Sequence, residues 1–438
     1  MPYLFAPLVR RSGHCFEANL LLSSQIRNRL KRSNIIQISA SLGSKSPKRR
    51  RFKMTDFSDI LCGRTWEFTE AGSSFFTNPA TFKGVEFSVM SYNILAQNLL
   101  EDNRYLYQSV DPRSLDWEHR RYRLLLELRF YNPHVVCMQE VKQQHLSDEL
   151  SEVFASMGYG MVYQSRTGDK QDGCLIMYKK QCFKLVTERK VKFYRKGVAT
   201  LDRDNVGLIV VLSPVTRPEL KVCIATTHLL FNPKRGDIKL AQLALLLAEI
   251  NSCVGKNNSS TPCILCGDFN SAPFSPLYNF ITQGALDYTK FTGPQISAQE
   301  RHSSSYASLI KSPLVPSVVG LQDDCQYAAD NEECSAVTPM GSILMHRLGL
   351  VSVYSHTSLR YPQVAEVTSF HDRSEETLDY LFYTSRHSTM KGAVALTPLC
   401  RLGLLTGNQL KSRGGLPNKL QPSDHLPLMC SFLLSKNE

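Results

Sequence analysis

The sequence has 438 residues, of which 42% are hydrophobic, and its formal net charge at pH 7 is +12. It contains no run of about 18 apolar residues, the length that a membrane-spanning helix needs, so we expect no membrane span. Residues 1–53 hold twelve Lys and Arg against one Glu and therefore carry +11 of the +12 charge. The rest of the chain is nearly neutral, which argues against a long basic groove for nucleic acid.

The N-terminal segment is basic, rich in Ser and Arg, and poor in acidic residues. Residues 19–33 have the spacing of an amphipathic helix, as in a mitochondrial transit peptide. Residues 46–53 form a basic cluster, which is typical of a nuclear address or a nucleic-acid contact. A solvated tail without any address explains the same composition. Arg10 and Arg11 interrupt any apolar core of a secretory signal, so we expect an intracellular protein of the cytoplasm, the nucleus or the mitochondrion.

The thirteen cysteines agree with a reduced, intracellular chain. Their spacing is irregular, and most of them lie in apolar runs, where Cys behaves as a small buried hydrophobe. Cys263 and Cys266 form a Cys-x-x-Cys pair, but no second pair stands nearby and the pair falls inside a predicted strand. We therefore assign them neither a zinc site nor a redox role.

From about residue 84, predicted strands and helices alternate along the chain. Runs of β-branched, aromatic or continuously apolar residues predict strands, and runs with helical periodicity predict helices. In chain order they are a strand at 85–95, a helix at 116–131 that Asn132 and Pro133 end, strands at 134–141, 172–180, 205–214 and 221–230, a helix at 236–254, and strands at 262–270, 378–384 and 425–434. This interleaving indicates a mixed α/β architecture.

The predicted organisation is one domain behind a leader. Residues 1–83 form the basic, mostly disordered leader, and residues 84–436 form the catalytic domain. Between residues 295 and 347 the periodicity fails and the sequence becomes polar and turn-rich, which is typical of a variable, mobile loop insertion.

Polar side chains recur at the two ends of the predicted strands, with Asp424 and His425 at the head of the final strand. They are Asn93, Gln139, Glu140, His228, Asp268, Asn270, Asp379, Asp424 and His425. In an open α/β sheet, polar groups at the ends of adjacent strands converge on one crevice. Residues i and i+2 of an extended chain face the same side, so Asp268 and Asn270 can point into that crevice together.

Four carboxylates in one crevice predict a cation site. These four are Glu140, Asp268, Asp379 and Asp424. Gathered carboxylates either raise their pKa values or bind a cation, and oxygen ligands with Asn favour Mg²⁺ or Mn²⁺ over zinc. With two histidines as donors, this set indicates hydrolysis of a phosphoester by an activated water. Taken singly, each residue also fits a structural role in a turn, a cap or the core.

Six ordered motifs carry a resemblance to a known family. They are SYNILA, MQEV, THLLFNPKRGDIKL, GDFNSAP, LDYLFY and SDHLPL. Their order resembles the endonuclease/exonuclease/phosphatase superfamily, in particular its deadenylase- and nocturnin-like branch. Within that branch, residues 202–212 and 227–250 are most similar to the angel family. The resemblance covers residues 84–436 and leaves out the leader.

This resemblance implies a four-layer α/β sandwich, in which two mixed β-sheets pack face to face with helices outside. It also implies Mg²⁺-dependent attack of water on a phosphoester, with Mn²⁺ as the alternative ion. By this resemblance, Glu140 corresponds to the main metal ligand of the family, and Asn93 is its neighbour at the metal. Asp424 corresponds to a residue that supports a second metal. His228 is expected to touch the phosphate, and Pro233 is expected near the sugar or base.

The resemblance also implies four catalytic roles. Asp268 would orient or deprotonate the attacking water, and Asn270 would hold the phosphate or the water beside it. His425 would stabilise the charge that develops on phosphorus, and Asp379 would fix the His425 ring.

One departure from the family pattern bears on the substrate. Deadenylases of this branch carry a Phe that stacks on adenine five residues before the Asp of LDY, where this chain has Ser374. A missing stacking platform costs about 1–3 kcal/mol per base. Phe370 and His371 are the candidate substitutes. The leucine-rich extension of the deadenylases is absent too.

The similarity to angel proteins implies removal of a 2′,3′-cyclic phosphate from RNA 3′ ends. A strained cyclic diester at a terminus needs less base recognition than tail trimming, which suits Ser374. A 3′-to-5′ exoribonuclease or poly(A) deadenylase is the alternative, and a non-catalytic RNA- or partner-binding protein is the second one. We expect RNA 3′ ends as partners and no small-molecule organic cofactor, while the sequence leaves protein partners open.

Overall fold

The computed structural model describes residues 63–254, 261–299, 307–327, 341–359, 362–385 and 392–437. The strands are β1 (Trp66–Phe68), β2 (Val85–Asn93), β3 (Val135–Lys142), β4 (Tyr159–Ser165), β5 (Asp172–Lys179), β6 (Phe183–Lys192), β7 (Val206–Pro214), β8 (Val222–His228), β9 (Cys263–Asp268), β10 (Ala285–Asp287), β11 (Ile343–Met345), β12 (Leu350–Ser352), β13 (Ser369–His371), β14 (Ser374–Glu376), β15 (Asp379–Thr384), β16 (Val394–Leu402) and β17 (Leu428–Lys436).

The helices connect these strands. They are α1 (Glu70–Thr77), α2 (Gln97–Asp102), α3 (Pro112–Leu115), α4 (Trp117–Tyr131), α5 (Gln143–His145), α6 (Ser151–Ser156), α7 (Gly236–Val254), α8 (Pro276–Gln283), α9 (Gly293–Ser297) and α10 (Gly407–Lys411), with a π-helical turn at Leu146–Leu150 and 3₁₀ turns at Pro79–Thr81, Arg104–Leu106, Tyr288–Lys290 and Ser317–Val319. None of the helices in the described ranges is long and apolar enough to cross a membrane.

Two mixed sheets form the centre of the domain. One has seven strands in the order β1–β16–β17–β2–β3–β5–β4, and the other has six in the order β12–β15–β9–β8–β7–β6. Each contains one parallel pair, β2 with β3 and β8 with β9, among antiparallel neighbours. Two short ribbons, β10–β11 and β13–β14, lie beside them.

The sheets pack face to face because successive apolar side chains of a strand point to opposite faces of its sheet, one toward the other sheet and one toward a helix. In β2, Phe87 and Val89 belong to the core between the sheets, whereas Met90 and Tyr92 belong to the core under helix α4. Helix α7 covers the outer face of the six-stranded sheet in the same way. The order helix, sheet, sheet, helix confirms the predicted four-layer sandwich.

Local sequence fixes the two covering helices. Asp116 caps α4 by accepting a hydrogen bond from His119 N, and the helix ends at Asn132, which has a left-handed φ of 43°. Pro133 follows and prevents continuation of the helix. Helix α7 spans the predicted residues 236–254, and most of its side chains are buried.

Strand register brings polar residues of both sheets to one end. In the six-stranded sheet, Asp268 lies opposite His228 on one side and opposite Asp379 on the other. Gly267 allows this close pairing, since its φ is +139° and a Cβ there would lie 2.1 Å from the carbonyl oxygen of Thr227.

The folded part of the chain begins before the predicted boundary at residue 84. Strand β1 pairs with β16, and helix α1 packs against the same strand through Phe75 and Leu399. This short apolar segment covers the face of β16 that would otherwise be open to water. The predicted leader as far as residue 62 lies outside the described residues.

The described parts of the 295–347 segment are packed on the domain. Strand β11 pairs with β10, and Leu314, Leu321 and Cys325 are buried in the core beside α7. Residues 300–306 and 328–340 lie outside the described residues. The described portions of the segment therefore contribute to the fold despite their polar, turn-rich sequence.

Candidate active site

The carboxylate of Asp268 lies at the centre of the polar cluster. Asn93 Nδ2 donates to Asp268 Oδ2 at 3.0 Å and to Glu140 Oε1 at 2.9 Å, which joins the two sheets. His228 Nε2 and His425 Nε2 lie 3.7 and 3.8 Å from the same Asp268 oxygen. The structure thus places residues that are far apart in sequence around one carboxylate.

Glu140 reaches this position through an irregularity in its strand. The pairing of β3 with β5 shifts between Met138 and Val141, and Glu140 has a left-handed φ of 55°. Such bulges turn a side chain out of the regular alternation and are frequent at functional sites. The backbone N–H of Ala96 donates to Glu140 Oε2 at 3.1 Å and fixes the carboxylate.

The acidity of Glu140 reflects its crowded surroundings. Burial raises the pKa of the carboxyl, the neighbouring His228 partly lowers it, and the carboxylate of Asp424 raises it further. A site with this balance favours a cation or a proton, because either one relieves the repulsion.

Asn270 follows Asp268 in a tight loop. Its φ is 47°, its backbone N–H donates to Asp268 Oδ1 at 3.0 Å, and its Nδ2 donates to the carbonyl oxygen of Leu229 at 3.1 Å. The Asn270 side chain therefore ties the loop after β9 to the loop after β8. Its predicted contact with phosphate or water stays a prediction.

His425 and Asp379 form a buried pair. His425 Nδ1 lies 2.8 Å from Asp379 Oδ2, and Thr368 Oγ1 accepts a hydrogen bond from the backbone N–H of Asp379 at 3.1 Å. Burial disfavours the charged imidazole, but the carboxylates of Asp379, Asp424 and Asp268 outweigh it and raise the pKa of His425 well above its usual value. Burial also raises the pKa of Asp379. The arrangement holds a proton on His425 and aims Nε2 at the Asp268 side of the cleft.

Asp424 lies beside the cluster, where its carboxylate is held by a tyrosine. Tyr107 Oη donates to Asp424 Oδ2 at 2.7 Å, and the Asp424 carbonyl oxygen accepts from the backbone N–H of Phe370 at 2.8 Å. Its predicted support of a second metal stays a prediction.

Pro233 lies in the loop between β8 and α7, and its carbonyl oxygen accepts from Ser297 Oγ at 3.0 Å. Its predicted contact with sugar or base also stays a prediction.

Three buried residues that position the site escaped the sequence analysis. Tyr107 binds Asp424, Lys239 Nζ donates to the carbonyl oxygen of Asn270 at 2.6 Å, and Arg120 donates to the carbonyl oxygens of Ile94 and Pro422 at 2.7 and 2.6 Å. A single Lys inside the apolar run of α7 could have been recognised from the sequence as a buried lysine with a functional role. Arg120 stands among other charged residues of α4 and gives no such signal.

The donor set fits a divalent cation. Ligand atoms of Glu140, His228 and Asp268 lie within 4.8 Å of one another, and so do those of Asp268, Asp379 and His425. His228 Nδ1 is buried without a hydrogen-bond partner, at 4.0 Å from Glu140 Oε1. Carboxylate oxygens dominate both groups, which favours hard cations.

Asn93 is oriented as a donor in this arrangement. Its Oδ1 accepts from the backbone N–H of Leu95 at 3.0 Å, and its Nδ2 faces the carboxylates of Glu140 and Asp268. The amide thus links two acidic side chains. Its predicted role as a metal ligand stays a prediction.

A profile of the Endonuclease/Exonuclease/phosphatase family matches residues 90–425 of this chain. Protein angel homolog 2 of Bos taurus is 42% identical over 381 residues, which cover 80% of this chain and 69% of that protein. Human angel homolog 2 is 40% identical over 381 residues, with the same two coverages.

Solved structures show the same similarity. A crystal structure of ANGEL2, described as a 2′,3′-cyclic phosphatase and in complex with adenosine-2′,3′-vanadate, has a TM-score of 0.75 and 41% identity, and the match covers 85% of this chain and 98% of that chain. The catalytic domain of human nocturnin with bound sulfate has a TM-score of 0.52 at 22% identity, covering 86% of this chain and 98% of that chain, and supports the fold alone. With a profile over most of the domain and relatives above 40% identity, the chain belongs to the angel group of the endonuclease/exonuclease/phosphatase family, whose enzymes are divalent-metal-dependent phosphoric ester hydrolases.

Proposed function

We propose that this chain removes 2′,3′-cyclic phosphate from RNA 3′ ends in an Mg²⁺-dependent hydrolysis. One observation carries the proposal: Asp268 lies between Glu140, His228 and His425 in a chain that is 41% identical to ANGEL2 over 98% of that structure. ANGEL2 is described there as a 2′,3′-cyclic phosphatase and binds adenosine-2′,3′-vanadate. In that ligand, vanadium stands in the place of the phosphorus of the cyclic diester.

Asp268 is placed to take the proton of an attacking water. Asp268 Oδ1 accepts a hydrogen bond from the backbone N–H of Asn270. Asp268 Oδ2 is therefore the atom that faces the histidines, and Asn93 links this oxygen to Glu140. Glu140 and neighbouring carboxylates would hold Mg²⁺, which would polarise the phosphoryl group and lower the pKa of a bound water. As the water oxygen bonds to phosphorus, its proton passes to Asp268, the bond from phosphorus to one ribose oxygen breaks, and that oxygen takes up a proton from solvent and becomes a hydroxyl. This opens the ring to a phosphomonoester, and a second attack of water on the remaining ester bond releases inorganic phosphate.

His425 is placed to stabilise the phosphoryl oxygens during this step. The neighbouring carboxylates raise the pKa of the ring, which favours its protonated form, and Asp379 Oδ2 accepts from Nδ1–H of that form at 2.8 Å. Nε2–H is then free to donate to an oxygen on which negative charge develops, as donors do in other charge-stabilising sites. His228 Nε2 lies on the other side of Asp268 Oδ2 and can contact the same phosphoryl group.

Base stacking at the deadenylase position has no support in this chain. Ser374 Oγ donates to Glu376 Oε1, and Phe370 packs into a separate apolar cluster with Val367 and Leu426. Of the two candidate substitutes, Phe370 is therefore engaged in that cluster, and His371 Nδ1 accepts a hydrogen bond from the backbone N–H of Arg373 at 3.2 Å. This disfavours poly(A) trimming, which needs repeated recognition of adenine, relative to a single reaction at a terminus.

A comparison of two RNA substrates tests the proposal. Purified protein with Mg²⁺ receives one RNA ending in a 2′,3′-cyclic phosphate and a poly(A) RNA ending in a free 3′-hydroxyl. We expect faster turnover of the cyclic end, and Asp268→Asn should slow it by roughly 10²-fold or more because the proton acceptor is lost. Faster shortening of poly(A) would support the deadenylase alternative and overturn the proposal.

A further inference from the structure

An exposed aromatic ring and an exposed guanidinium lie together near the cleft. Tyr105 is 44% exposed, and the guanidinium carbon of Arg373 lies 4.6 Å from the centre of its ring. Within the described part of the chain, Arg373 has no ion-pair partner. Its charge is therefore available to a ligand.

Both residues stand on segments that are anchored to the same site residue. Tyr105 belongs to the 3₁₀ turn that precedes Tyr107, which donates to the carboxylate of Asp424 at 2.7 Å. Arg373 lies at the turn between β13 and β14, and the backbone N–H of Phe370 in β13 donates to the carbonyl oxygen of Asp424 at 2.8 Å. The pair is thus fixed relative to Asp424 and to the adjacent His425.

The two segments are also joined directly. The backbone N–H of Asp372 donates to the carbonyl oxygen of Leu106 at 3.0 Å, and the backbone N–H of Ser109 donates to Asp372 Oδ2 at 2.9 Å. Ser109 Oγ donates to the other Asp372 oxygen. These bonds tie together the segments that carry Tyr105 and Arg373, so that the two side chains form one platform.

The chemistry of this platform matches a single-stranded RNA. Aromatic rings and guanidinium planes stack on unpaired bases, and Arg also pairs with backbone phosphates. Arg373 stands directly before Ser374, the position at which the stacking Phe of deadenylases is missing. A stacking surface is therefore present on the same ribbon, but at its exposed turn rather than beside the buried catalytic residues.

We infer that Tyr105 and Arg373 bind the RNA strand on the 5′ side of the terminal cyclic phosphate, an inference that rests on the proposed function. The terminal phosphate occupies the cleft at Asp268 and His425, and the preceding nucleotides leave that cleft over the anchored platform. The platform selects an RNA chain over a free cyclic nucleotide without reading a base sequence, because every base has a face on which to stack.

Steady-state kinetics on two substrates test this inference. One is a nucleoside 2′,3′-cyclic monophosphate, and the other is a short RNA that ends in the same cyclic nucleotide. The variants are Tyr105→Ala with Arg373→Ala, Tyr105→Phe, and Arg217→Ala as a charge control. Arg217 is exposed in the turn between β7 and β8, at the end of the sheet opposite to His228.

We expect the double variant to raise KM for the RNA about tenfold, as loss of stacking on one base predicts, with kcat unchanged. KM for the mononucleotide should stay as in the wild type, Tyr105→Phe should retain RNA binding, and Arg217→Ala should change neither substrate. An unchanged KM for the RNA, or an equal rise for both substrates, would overturn the inference alone. A wild type that hydrolyses neither substrate would instead overturn the proposed function, and the inference with it.

Discussion

Lys239 Nζ donates to the carbonyl oxygen of Asn270 at 2.6 Å and to Gln299 Oε1 at 2.5 Å. Lys239 is fully buried, and burial lowers its pKa to about 7, although the carboxylates of Asp268 and Glu376 favour the charged form. The ammonium group holds a backbone carbonyl two residues after Asp268, in a loop where Asn270 has a left-handed φ. Lys239 therefore helps to position Asp268 by fixing the loop that follows it.

Replacement of Lys239 should affect turnover more than binding. Lys239→Met keeps most of the side-chain length and removes the donor. We expect kcat on the cyclic-phosphate RNA to fall about tenfold with KM little changed, because a small displacement of a catalytic group costs rate. Lys239→Arg should restore part of the loss. Initial rates over a range of RNA concentrations provide both parameters. A folded Lys239→Met protein with wild-type kcat would show that the lysine serves stability alone.

The His425–Asp379 pair should behave as one unit. Asp379→Asn removes the negative charge that stabilises the protonated His425 ring and can present an amide N–H to Nδ1, and we expect kcat to fall on the order of 10²-fold. Because Asp379 acts through His425, the double variant Asp379→Asn/His425→Ala should be about as slow as His425→Ala alone. Single-turnover rates of the three variants check this. Losses that add on a logarithmic scale would mean that the two residues act separately.

His356 should make stability fall in mild acid. The residue is buried among Phe274, Tyr278 and Tyr380, and burial lowers its pKa to about 3. An unfolded chain binds the proton below pH 6.5 whereas the folded chain does not, so the contribution of His356 is complete above pH 6.5 and is lost progressively as the pH falls toward 3.

The expected size is about 1.4 kcal/mol of unfolding free energy for each pH unit below 6.5. His356→Gln retains a partner for the Tyr278 hydroxyl, which His356 Nε2 contacts at 3.0 Å, and removes the titration. Urea unfolding at pH 7.5 and pH 5.5 should therefore show a smaller loss of stability in the variant. Equal losses in both proteins would contradict the assignment.

The sequence predicts the sandwich well because its elements are set locally. The helix at 116–131 has a capping Asp116 before it and Asn132 with Pro133 after it, and the observed α4 lies between these residues. The residues at the strand ends could be found because carboxylates and amides directly after apolar strands are costly unless they are used. Asp268, the last residue of the buried strand β9, is found for this reason.

The supporting residues could not be predicted in the same way, because they depend on contacts across the sheets. Arg120 binds carbonyl groups of loops that lie up to 302 positions away in sequence, and nothing in its neighbourhood on α4 distinguishes it. Strand β1, which pairs with β16, is only three residues long, and this is too short to show an alternating hydrophobic pattern in the sequence. Similarly, the left-handed φ of Glu140 follows from a bulge that the alternation of β3 does not reveal.

The central claim is that Glu140 and its neighbours hold a divalent ion that the reaction requires. Its most direct test is turnover of RNA with a 2′,3′-cyclic end after EDTA treatment and stepwise return of Mg²⁺, for the wild type and Glu140→Gln side by side. We expect wild-type activity to vanish and return, and Glu140→Gln to lose roughly 10²-fold in kcat or to need far more Mg²⁺. Wild-type activity that persists in EDTA, or a variant that follows the wild-type curve, would contradict the claim.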